Sequence, residues 1–133
     1  MIFTIDTSAL MRLYIPDGPI PEGLESAVQN SQRTNDRLIA PELILVECGQ
    51  VLHKKRMQKI LVDEELDVLL KGILDLPMRL YAHGDLLKSA CELALEFNLT
   101  VYDGLFLALA KRHSAPLFTA DDKLRRAADR LSL

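Results

Sequence analysis

The chain has 133 residues, about half of them apolar, and a formal net charge of −3. No apolar run approaches the ~18 residues that a membrane-spanning helix needs, and the charge balance gives no overall bias towards nucleic acid. The length suits one domain over residues 1–133, built around one core.

The opening residues, MIFTIDTSAL, carry no basic stretch and are interrupted by Asp6, so they read as a strand and not as a secretory leader. IFTI predicts a buried strand, and DTSALMRLY a helix with Ser8 as its N-cap. DGPIPEG is a loop, and residues 23–32 form a short amphipathic helix with Pro21 near its start. RLIA is a brief strand, followed by a long helix over 41–57 opened by Pro41. Asp63 caps the next helix, which Pro77 stops.

MRLY is the third strand, followed by a helix over 84–98 with Asp85 near its start and Asn98 at its end. LTV reads as a strand-like run giving way to an apolar helix at Asp103, PLFT as the fourth strand, and residues 121–131 as the closing helix. Strands alternating with helices predict an α/β domain on a mostly parallel sheet. Cys48 and Cys91 both lie in apolar helical surroundings without metal or redox spacing, which predicts buried, reduced thiols in a cytoplasmic protein.

Most basic residues fall in three segments, HKKRMQK, KRH and KLRRAADR. Basic runs on helices are usually solvated faces, so these alone assign no partner.

Four of the nineteen acids stand in unusual places. Asp6 follows the first strand, Asp121 follows the last, Asp103 starts a helix, and Glu47 lies among apolar residues inside one. Open parallel sheets bind ligands beyond the carboxyl ends of their strands, where Asp6, Asp103 and Asp121 fall. Taken singly, Asp103 and Asp121 suit helix caps and Asp6 a local turn. Glu47 suits a side chain reaching solvent or pairing with Lys54. Taken together, four carboxylates at one sheet edge need a compensating cation, and an all-oxygen donor set selects a hard one, Mg²⁺ or Mn²⁺. Such an ion can activate water and neutralise charge on a phosphodiester.

The segments IDTSAL, APELILVECGQVL and LTVYDGLFLALAKRHSAPLFTADDKL, with acids in the order Asp, Glu, Asp, Asp, resemble PIN-domain proteins over nearly the whole length. The likeness is specifically to the VapC toxins of toxin–antitoxin pairs. It implies a three-layer α/β/α fold, with a central, mostly parallel sheet of four to five strands, and a metal-dependent endoribonuclease. By position, Asp6, Glu47, Asp103 and Asp121 would hold Mg²⁺ or Mn²⁺. Ser8 and Thr119 would orient a carboxylate, a water or a phosphate, with Asp122 as a further acid whose ordinary role is helix N-terminal charge. The resemblance also implies a homodimer, and a VapB-like antitoxin whose tail lies across the groove. Two departures stand out. Gly104 replaces the family's frequent Ala, which would loosen the first turn of its helix. The ending RLSL leaves little for a final edge strand.

Metal-activated hydrolysis of RNA is therefore the expected chemistry, with Lys54, Lys55 and Arg112 as candidate guides for the RNA backbone. A phospho-accepting receiver would want an acidic pair after the first strand, and a haloacid-type phosphatase an Asp where Ser8 stands. A non-cleaving PIN-like scaffold for RNA or protein is the main alternative. A DNA nuclease is another, since the acids do not read the sugar.

Overall fold

A computed structural model describes residues Met1–Leu133. Strands β1 (Ile2–Ile5), β2 (Arg37–Pro41), β3 (Met78–Tyr81) and β4 (Leu117–Phe118) form one wholly parallel sheet in the order β3-β2-β1-β4. The helices are α1 (Thr7–Arg12), α2 (Leu24–Arg33), α3 (Leu43–Met57), α4 (Asp63–Asp75), α5 (Leu87–Phe97), α6 (Val101–His113) and α7 (Asp122–Arg130). The chain leaves β1 for β2 and β3 on one side, then crosses to β4 on the other. That reversal opens a crevice at the carboxyl ends of β1 and β4, the usual ligand position in an open parallel sheet.

Helices cover both faces, giving the three layers expected. One buried cluster joins Ile39 and Leu117 of the sheet to side chains of α5, α6 and α7. The other joins Ile5 and Ala40 to α1, α3 and α4, and takes in Leu24 of α2 and Phe106 of α6. Each fully buried Leu, Ile or Phe in these clusters contributes about 1.5–3 kcal/mol through loss of water contact.

Helix α6 is buried continuously from Gly104 to Ala110. This explains why GLFLALA shows no polar stripe: a helix enclosed on all sides is apolar on all sides. Gly104 has a different role from the loosened turn expected. A Cβ at this position would stand 2.4 Å from the Ala90 carbonyl oxygen, so the missing side chain lets α6 approach the α5 backbone closely. No single helix is long and apolar enough to cross a membrane, and the apolar pair α5–α6 is bent by 111°.

Helix starts differ from expectation in five places: α5 begins at Leu87, after a turn over 84–86, and not at Gly84, and the other four have a local reason. Asp6, not Ser8, caps α1 by accepting from the Ala9 N–H at 2.8 Å. Pro41 is the last residue of β2, in register with Tyr81, because its fixed φ is tolerated at the end of an extended strand; α3 starts at Leu43, whose N–H donates to His83 Nε2 at 3.0 Å. Asp63 is already helical, and Glu65 reaches back to accept from the Val62 N–H at 3.0 Å. LTV is not a strand: Asn98 ends α5 in the left-handed conformation and Thr100 caps α6 by accepting from the Asp103 N–H at 3.1 Å.

No strand follows β4. Arg125 instead donates to the carbonyls of Leu117 and Leu133, covering this short edge with a cation. Cys48 is buried as expected, but Cys91 is exposed on the outer face of α5.

Candidate active site

The carboxyl ends of the strands open into a cleft of about 350 Å³ whose walls include Asp6, Glu47, Asp103 and Asp121. The elements that carry them explain the meeting. Asp6 leaves β1 with its N–H bonded to the Phe118 carbonyl at 3.1 Å, so its backbone is fixed to β4. Asp121 follows β4 by three residues and caps α7, accepting from the Leu124 N–H at 2.8 Å. Its capping and its place in the cleft are therefore compatible. Glu47 points from α3, and Asp103 from the first turn of α6.

Asp6 is the anchored member, only 4% exposed. Its Oδ1 accepts from the Ala9 N–H and from Ser8 Oγ, both at 2.8 Å, while Oδ2 accepts from Thr119 Oγ1. Ser8 Oγ also stands 3.0 Å from Oδ2, so its single proton is shared between the two oxygens. The hydroxyls are satisfied in turn, Ser8 accepting from the Ala120 N–H at 2.9 Å and Thr119 from the Asp121 N–H at 3.0 Å. Ser8 and Thr119 thus orient a carboxylate, one of the three roles open to them from sequence. They also tie the start of α1 to the turn after β4.

The other three acids are held less tightly. Glu47 accepts from Thr7 Oγ1 at 2.8 Å. Thr7 escaped the sequence reading because Asp-Thr-Ser drew attention to Ser8, yet its hydroxyl positions an acid forty residues away. Asp103 is partly buried, with its N–H on the Thr100 cap; Asp121 is exposed. Asp122 is exposed at the first position of α7, where its charge complements the helix dipole.

Electrostatics set these groups apart from ordinary surface acids. Burial pushes the Asp6 carboxyl up from 3.8 to about 6, against the hydrogen bonds from Thr119, Ala9 and Ser8, and the charge of Asp103 adds to the rise. Glu47 is also raised, by burial and then by Asp103, with Thr7 opposing. Asp103 is raised by burial and by Asp121, with Thr100 and Lys123 opposing. Beneath them, burial pushes the Cys48 thiol to about 12, helped by the charges of Glu47 and Asp6, so it is an inert apolar filler. None of the four acids forms an ion pair within the protein.

An uncompensated set of oxygen donors suits a hard divalent cation. The spacing is open, however: no three of the acids converge closely enough to ligate one ion in this arrangement. Asp6 is held by three donors, whereas Glu47 and Asp121 each accept one hydrogen bond within the protein.

The basic residues expected near RNA are scattered. Lys54 is exposed on α3, and Lys55 pairs with Asp17 at 2.9 Å, bracing the loop after α1. Arg112 sits near the opposite end of α6 from Asp103, donating to the Asp85 carbonyl at 2.7 Å. The cation that does line the cleft is Arg12. Local pattern gave no signal for it: six residues is one and two-thirds turns, which does not put Arg12 on the same side of the helix as Asp6.

Comparison with known proteins agrees with this geometry. The chain is 29% identical over 126 residues to Ribonuclease VapC3 of Pyrobaculum aerophilum, covering 93% of this chain and 92% of the relative. The crystal structure of PAE2754 from Pyrobaculum aerophilum superposes with a TM-score of 0.69 at 21% identity, over 99% of this chain and 90% of that one. VapC20 of Mycobacterium tuberculosis, described as a sarcin-ricin loop cleaving toxin, superposes with a TM-score of 0.66 at 14% identity. That match covers 96% of this chain and 95% of the other. The family model for the PIN domain matches residues 3–130, which takes in all four strands except Ile2 of β1, and every acid of the cleft. The chain belongs to the PIN domain family.

Proposed function

We propose that this chain, as one PIN domain, is an endoribonuclease dependent on Mg²⁺ or Mn²⁺ and the toxin of a toxin–antitoxin pair acting in the cytoplasm. The observation that carries the reading is the gathering of four carboxylates, none in an ion pair, in one cleft at the carboxyl ends of β1 and β4. Kinship to Ribonuclease VapC3 supports the choice of RNA as substrate.

Asp6, Glu47 and Asp103 would hold the main cation, with Asp121 completing that site or serving a second ion. Once bound, the cation supplies an activated water and neutralises charge developing on the phosphodiester. The protein's own part is orientation. Ser8, Thr119 and the Ala9 N–H fix Asp6 before any ligand arrives, so its alignment costs no further ordering. Thr7 does the same for one oxygen of Glu47. No side chain acts as a covalent nucleophile. A homodimer and a VapB-like antitoxin belong to the same proposal. Exposed apolar side chains on α4 and α5, such as Val68, Leu74 and Leu95, are surfaces such partners would cover.

The open spacing of the acids favours a second reading, a scaffold that binds RNA or protein without cutting. Total cellular RNA incubated with the purified protein and Mg²⁺, Mn²⁺ or EDTA separates the two, with Asp6→Ala as control. Discrete fragments with either metal, absent with EDTA and in the variant, support the nuclease. Intact RNA beside a folded protein whose melting midpoint rises with metal supports the scaffold.

A further inference from the structure

We propose that Arg12 binds a backbone phosphate of the RNA at the rim of the acidic cleft, and that Gly18 holds it there by leaving a notch for its guanidinium. The inference rests on the ribonuclease reading and adds the residue that lets a polyanion approach four carboxylates.

Arg12 lines the acidic cleft and also a second cavity of about 390 Å³, which shares Asp121 with it and runs on past Pro19 and Pro21. The guanidinium therefore stands at the junction of the two, within reach of a strand that runs from one into the other. It forms no ion pair, although it stands among acids. Its neighbours are committed elsewhere. Asp17, on the cleft wall, is taken by Lys55 at 2.9 Å. Arg125, the other guanidinium of the second cavity, is spent on Asp129 and on the carbonyls of Leu117 and Leu133. Arg12 alone brings uncommitted donors to this junction, and its planar fork matches phosphate oxygens two at a time.

Its position is built rather than incidental. A Cβ on Gly18 would lie 1.4 Å from Arg12 Nη1, so the guanidinium rests in space that only glycine leaves empty. The clash would fall on the far end of a flexible side chain, so Gly18→Ala displaces the guanidinium without disturbing the core. That substitution tests position separately from charge.

The test measures binding of a fluorescein-labelled, mixed-sequence RNA oligonucleotide by anisotropy in EDTA across a KCl series, and cleavage of total cellular RNA with Mg²⁺. Arg12→Ala is expected to weaken binding about tenfold and to flatten the salt slope by ~0.7, one phosphate contact on a single strand. Its cleavage defect is expected in KM rather than kcat, with an unchanged melting midpoint. Gly18→Ala should lose affinity in the same direction, and Arg12→Lys should keep the salt slope while still binding less tightly. Wild-type affinity and slope in both Arg12→Ala and Gly18→Ala would overturn the proposal while leaving the nuclease intact. Should Arg12→Ala fail to fold, Gly18→Ala decides alone. A wild-type protein that neither binds nor cleaves RNA overturns the nuclease reading and this inference with it.

Discussion

Asp6 and Asp103 face the same cleft and are held in opposite ways. Asp6 is enclosed, and its oxygens are occupied by the Ala9 N–H and by two hydroxyls that themselves accept from the chain after β4. Asp103 sits on the first turn of α6 with its own N–H capped but its carboxylate only partly buried, between the charges of Asp121 and Lys123. In the proposed metal site the difference would separate two tasks. A fixed carboxylate would define where a cation sits, whereas looser ones would accommodate changes in its coordination.

The strongest way to break this contrast is to remove the fixed side. Asp6→Asn keeps the shape and a capping side chain but loses the charge, and is expected to lower RNA cleavage by at least about 10²-fold. The same variant sharpens the electrostatic argument. Burial raises the folded Asp6 carboxyl to about 6, above its ordinary 3.8, so folding favours the protonated acid. That stabilisation is complete below pH 3.8 and lost as pH rises through about 6. Two pKa units amount to about 3 kcal/mol. Urea unfolding in EDTA should therefore show the wild type weakening between pH 4 and pH 7 relative to Asp6→Asn, and Mg²⁺ should restore it at pH 7.

Thr119→Val preserves side-chain shape but removes the donor to Asp6 and the acceptor of the Asp121 N–H. Cleavage should fall about 10–100-fold and stability by about 1–3 kcal/mol, read by kinetics and by urea titration. On the looser side, Gly104→Ala pushes a methyl against the Ala90 carbonyl and moves the helix that carries Asp103. Overpacking of this kind costs about 1–3 kcal/mol, and the melting midpoint should drop while folded protein keeps most of its activity. The smallest effect is expected from Thr7→Val. Water replaces the lost bond to partly exposed Glu47, so stability should change by less than ~1 kcal/mol and cleavage by less than about tenfold.

Much of this molecule was readable in order along the chain. IFTI and MRLY are strands with the bounds read from sequence, because short apolar runs between turn signals leave little choice. The four acids were legible as a group because a parallel sheet brings strand ends together whatever their separation in sequence. What escaped depends on contacts that local pattern does not encode. LTV has the composition of a strand, but Thr100 finds the Asp103 N–H and starts a helix. Gly104 looked like a weakness of its helix until the Ala90 carbonyl was seen beside it. Cys91 shares Cys48's apolar neighbours in sequence yet faces outward, since helical phase and not composition decides which side is buried. Arg12 is one basic residue among sixteen, distinguished only by where Gly18 and Lys55 leave it.

The hydroxyl network around Asp6 also has a bearing on timing. Thr119 lies 113 residues after Asp6, and the strand that brings it there pairs with the first strand of the chain. During synthesis the N-terminal segment leaves the ribosome long before its partner, so Asp6 first has only Ser8 and Ala9 to orient it. Only when β4 docks does the cleft acquire its fixed carboxylate, and with Asp121 its last acid. The chain thus carries its own delay: the site waits for a residue made 113 positions after the carboxylate it holds.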